Sequence, residues 1–231
     1  MRPSFPTLPV AALAAALIQA PAAGAQTIPS PFTFIEATQE TGLFVGHMSA
    51  ATGRFGYGPS GGTLFGARYG VGLSGPLSFE GAWGLVSGTR DVINPGRAEG
   101  ARVVGVGDVL LTTIDARLRF SLTGERAWHG LSPFLAVGIG MVFDLEGSAE
   151  ADSDLEAEDV FDFGSSLFTT ISVGTRLFVS ERFTLRTDGV FSIWKIETPP
   201  GFSNPLRGFR AVEESEWVRG LSIVVSVLLR W

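Results

Sequence analysis

The chain has 231 residues, no cysteine and a formal net charge of −6, from 17 basic and 23 acidic residues. The missing cysteines exclude disulfides, thiolate metal sites and cysteine catalysis, and the acidic balance argues against nucleic acid as a partner, because such a surface repels phosphate. Apolar residues make up 45% of the chain, yet no long apolar run follows the N-terminal region, so the hydrophobicity is dispersed as alternating strand positions disperse it.

Residues 1–25 read as a secretory signal: Arg2, an apolar run from Val10 to Ile18, then Ala23-Gly24-Ala25 before Gln26. The run is shorter than the roughly 20 apolar residues a membrane-spanning helix needs. Loss of Arg2 leaves the mature chain one charge more acidic. Residues 26–40 are expected to form a periplasmic lead-in, and residues 41–231 a single β domain.

Period-two alternation then predicts eight strands. The first runs from Thr41 to Met48. Thr63 to Leu73 sets Phe65, Tyr69 and Val71 opposite Arg68, and Leu77 to Val86 sets Phe79, Trp83 and Leu85 opposite Glu80. Val109 to Ser121 separates Leu110, Ile114, Leu118 and Phe120 from Asp115, Arg117 and Arg119. Pro133 to Phe143 and Leu167 to Val179 alternate large apolar with small or polar residues, Arg176 among the latter. Phe183 to Trp194 places Phe183, Leu185, Phe191 and Ile193 opposite Arg186 and Asp188, and the last strand spans Trp217 to Trp231. Connections alternate short and long, the short ones at Ser74-Gly75-Pro76, Leu122 to Ser132 and Ser180-Glu181-Arg182. Transmembrane barrels have short periplasmic turns and longer external loops, which puts both ends of the barrel domain in the periplasm.

The fold expected is therefore all-β: an eight-stranded antiparallel up-and-down transmembrane barrel. With Trp231 closing a strand that alternates Leu221, Ile223, Val225, Val227 and Leu229, the chain resembles the small outer-membrane barrel families that include OmpX and the transmembrane domain of OmpA. The resemblance implies insertion by the outer-membrane assembly machinery through those six residues; outer-membrane lipid as surroundings and a monomeric state are expected. Facing lipid is the competing role for the same side chains.

An eight-stranded barrel has room inside for side chains and little else. Parity turns Arg68, Glu80, Asp115, Arg117, Arg119, Arg176, Arg186 and Asp188 inward. Facing lipid, each arginine near the midplane would cost about 2–4 kcal/mol, and the sum would exceed the stability of a typical protein, about 5–15 kcal/mol. A paired structural network in the lumen is the expectation, with a narrow ion or solute path as the alternative. In the third long loop, residues 144–162 carry nine acids and no base. A hydrated loop is one reading; a calcium or magnesium site at Asp152, Asp154 and Glu156 is the sharper one, since these space hard oxygen donors. His47 and Ser49 make a His-x-Ser pair as in outer-membrane lipid-modifying hydrolases, without a placed third partner, so no enzyme is expected. Trp217 and Trp231 suit two interfacial girdles, and parity turns Trp194 inward. The soluble competitor is a lipocalin-like ligand binder, which reverses the faces.

Overall fold

A computed structural model describes residues 30–36 and 38–231. The expected leader, residues 1–25, lies outside the described residues. Ten strands follow in order: β1 (Phe32–Phe34), β2 (Gln39–Ala50), β3 (Gly61–Ser74), β4 (Leu77–Ile93), β5 (Val103–Ser121), β6 (Arg126–Trp128), β7 (Leu131–Asp144), β8 (Ser165–Phe178), β9 (Phe183–Glu197) and β10 (Ser215–Arg230). Eight of them form an antiparallel ring in the order β2-β3-β4-β5-β7-β8-β9-β10, and pairing of β10 with both β9 and β2 closes it. Backbone bonds exchanged between Gln39 and Trp231 complete the seam at the end that carries the short turns.

Closure leaves the eight-stranded ring without a free edge, so its strands satisfy their own backbone groups, as a lipid-spanning structure must. Alternation decides the faces. On β10, Leu221, Ile223, Val225, Val227 and Leu229 are exposed, while Val218, Val224 and Leu228 on the other face are buried. Large apolar side chains point outward on all eight barrel strands, a belt too extensive for a protein surrounded by water. The lipocalin-like alternative fails here, because it requires the opposite parity. Trp83 lies within the belt and hides its indole N–H by donating to Thr112 Oγ1 at 3.1 Å.

Three differences from the sequence reading affect the ends. The hairpin of β4 and β5 rises well beyond Val86 and Val109, so the second long loop shrinks to residues 94–102. The connection expected as a plain turn from Leu122 to Ser132 contains β6, folded back on β7 through His129 and Gly130, both at positive φ. The lead-in contains β1, which pairs with β6 in the register Phe32↔Trp128 and Phe34↔Arg126. In the ring β7 lies four places from β2, so β1 and β2 lie at different points around the end that carries the short turns. Ile35 N–H donates to the Glu125 carbonyl, and the Arg126 guanidinium lies 4.6 Å from the Phe34 ring centroid.

Candidate functional site

The lumen divides into two layers. In the half nearer the short turns all eight predicted charges are buried, joined by Glu40, which was assigned to the lead-in but occupies the second position of β2. Glu80 lies at the centre. It bonds to Arg186, lies 3.3 Å from Arg119 and 3.6 Å from Arg68. Asp188 accepts from Arg68 at 2.8 Å and from Arg186 Nε at 2.7 Å. Glu40 holds Arg119 and, at 3.4 Å, Arg176, which also donates to Ser121 and Ser132 at 3.0 and 3.3 Å. Asp115 and Arg117, two apart on one face of β5, pair with each other. Rings line the gaps: Arg68 lies over Phe44, and Arg186 over Phe134, at 4.7 and 4.5 Å from their centroids.

Small residues opposite the long ones make room for this. A Cβ on Gly138 would meet Arg117 Cγ at 2.6 Å, and one on Gly174 would meet Phe134 at the same distance.

Above this layer the lumen turns apolar. Val86, Leu111, Val142, Phe168 and Trp194 pack into one cluster with residues of the first, third and fourth long loops: Tyr57, Phe161, Phe163, Phe202 and Phe209. Phe161 and Phe202 lie 4.8 and 5.3 Å from the Tyr57 ring by centroid. The Tyr57 hydroxyl bonds to Thr198 at 3.2 Å and donates to Glu216 at 2.9 Å; burial, with the Glu216 carboxylate adding to it, pushes the phenol well above its usual range. Trp194 is buried, as its parity required.

The third loop is not the freely hydrated segment expected. Asp152 is buried and bonds to Arg90 of β4. Asp159 is buried and bonds to Arg207 of the fourth loop, which also reaches Glu156 at 2.7 Å and Glu158 at 3.0 Å. The Asp159 bond, then the neighbouring carboxylates, push the Arg207 guanidinium up. Four of the nine acids, Asp152, Glu156, Glu158 and Asp159, are thus paired with arginines from β4 and the fourth loop.

The three residues of the expected cation site are not brought together. Asp152 turns inward to Arg90, Glu156 turns to Arg207, and Asp154 makes no ion pair. Among the described residues no group of three or more His, Cys, Asp or Glu side chains is placed to hold a metal. Calcium or magnesium would have to displace arginines already in place.

Two narrow voids separate the layers, of about 60 Å³ beside Arg68, Asp115 and Arg117 and about 40 Å³ beneath Trp194. Each has room for single waters, not for a ligand of drug size. A third void of about 150 Å³ lies at the short-turn mouth between Ile35, Glu40, Arg119 and Arg176.

Comparison with solved structures agrees with this architecture. OprG, an outer membrane protein of Pseudomonas aeruginosa, superposes with a TM-score of 0.51 at 10% identity, over 84% of this chain and 96% of that one. Neisserial surface protein A gives 0.49 at 14% identity, over 84% and 97%. This chain has the fold of the small eight-stranded outer-membrane barrels. No protein-family model matches the sequence, and no curated protein matches it.

On this barrel Leu221, Ile223, Val225, Val227, Leu229 and Trp231 are all exposed on the outer face. Trp217 and Trp231 are exposed at opposite ends of β10, with Tyr69 beside Trp231 at 6.5 Å between ring centroids. His47 and Ser49 also point outward, paired across the seam with Ile223 and Leu221. Among the described residues neither side chain bonds to an acid.

Proposed function

We propose that this protein is a non-conducting, non-enzymatic barrel of the outer membrane that displays a folded loop cap at the cell surface for contact with a partner. The observation that carries the reading is the double closure of the lumen, by nine charged side chains below and an aromatic plug above. A solute would have to break buried ion pairs and then part the cap. Removing one partner of a buried pair leaves an uncompensated charge at a cost of about 3–5 kcal/mol.

Recording from the purified barrel in planar bilayers tests this. Flat current traces are expected; unitary steps that change when Glu80 or Arg117 is neutralised would establish the channel reading. Insertion through the last strand fits the same picture, because β10 joins β2 to close the ring. Trp231→Ala is expected to slow insertion into vesicles that contain the assembly machinery more than into bare detergent micelles. Equal slowing in both would reduce the six residues to a lipid-facing role.

A further inference from the structure

The outer rim of the lipid-facing surface is charged, and unevenly so. On β4 and β5 it carries Asp91 and Asp108, exposed and close in register, Thr89 pairing with Asp108 and Asp91 with Val106. On β9 and β10 it carries Lys195 and Arg219, both exposed, with Trp217 between them. Trp217 pairs with Lys195 across the strands, and the ammonium lies 5.3 Å from the indole centroid. Glu197 is the acid on this face of β9, one step farther from the membrane. Among the described residues neither Lys195 nor Arg219 enters an ion pair, whereas the arginines of the lumen and Arg90 and Arg207 of the cap all do.

Strand geometry sets the depth of these residues. From Leu221 to Trp231, with a rise of about 3.3 Å per residue and a tilt of about 40°, β10 covers roughly 25 Å of membrane normal, the height of the apolar belt. Arg219 therefore emerges about 5 Å above that belt on the long-loop side. This is the headgroup level of the outer leaflet, where a cation no longer faces hydrocarbon, and Trp217 with Lys195 opposite it lies about 5 Å farther out, on the headgroup side of the belt.

We propose that Lys195, Trp217 and Arg219 form a headgroup site for a phosphorylated glycolipid of the outer leaflet. The two cations hold phosphate oxygens, and the exposed indole lies against the sugar ring. The charge is complementary, in a chain whose overall sign would otherwise repel such a lipid. The site rests on the membrane placement of the barrel and not on its lack of conductance.

Lys195 is the sole lysine of the sequence, so an amine-reactive reagent reads it directly. The mature chain is reconstituted in phosphatidylcholine vesicles, alone, with a diphosphorylated disaccharide glycolipid, or with phosphatidylglycerol at equal charge. Acylation of Lys195 is followed by peptide mass spectrometry. Slowing by about five-fold is expected with the glycolipid, the scale of one basic residue at an anionic surface, with less slowing in phosphatidylglycerol, which reports surface potential alone. Arg219→Gln should lose much of the protection, and Trp217→Leu should lose the preference between the two anionic lipids. Equal slowing by both lipids in the unaltered chain overturns the glycolipid assignment, and equal rates in all three vesicles overturn the site. Heat-dependent gel mobility reads insertion separately, so a misplaced barrel and an idle site give different results.

Discussion

Glu80 is the acid that Arg68, Arg119 and Arg186 share, 1% exposed at its side chain. Glu80→Gln leaves three guanidinium groups competing for Glu40 and Asp188, and should lower unfolding stability in vesicles by about 3–5 kcal/mol, read by urea denaturation. Tyr57 gives a pH prediction with a definite sign. Its phenol is raised in the folded state, so the stability it contributes is complete below the ordinary tyrosine value of about 10 and falls as pH rises above it, where only the unfolded chain ionises freely. Tyr69→Phe leaves Tyr57 as the only tyrosine. Ultraviolet titration of that variant should give a midpoint above the free-tyrosine value; a midpoint at that value would mean the cap is open. The inward charges were legible residue by residue, because parity and the cost of charge in lipid point the same way. Glu40 was missed because it lies one position before the start assigned to the first strand.

At the scale of elements, Arg207 joins two loops that have no strand pairing between them. Arg207→Gln should speed proteolytic cleavage within residues 145–164 while leaving the thermal transition of the barrel nearly unchanged. Parallel loss of both would show that cap and barrel unfold as one unit. The strands themselves were visible because lipid on one side and a packed lumen on the other impose strict alternation. Their outer ends were not, since above the membrane the selection on the outward face relaxes: Asp91 and Asp108 break the apolar pattern although the hairpin continues. β1 escaped notice for a related reason, as three residues are too few to show a period.

For the molecule as a whole, ring closure predicts resistance to SDS until heated. The mature chain should migrate differently boiled and unboiled on a gel, and identical mobility would count against a closed barrel. The eight strands of the ring and their outward and inward faces were determined by the sequence alone, because a closed sheet in lipid leaves each side chain only two directions and every backbone group one kind of partner. What only the tertiary structure decided is which charges meet and what the loops do. Arg207 reaches Glu156 and Asp159 from about fifty positions away, Arg186 reaches Glu80 from 106, and the acidic loop that reads as a cation site is sealed by arginines from elsewhere in the chain. Alternation is a local signal carried by neighbouring residues; ion pairing across a lumen and packing over its mouth depend on strand register and loop path, which bring together residues that the sequence keeps far apart.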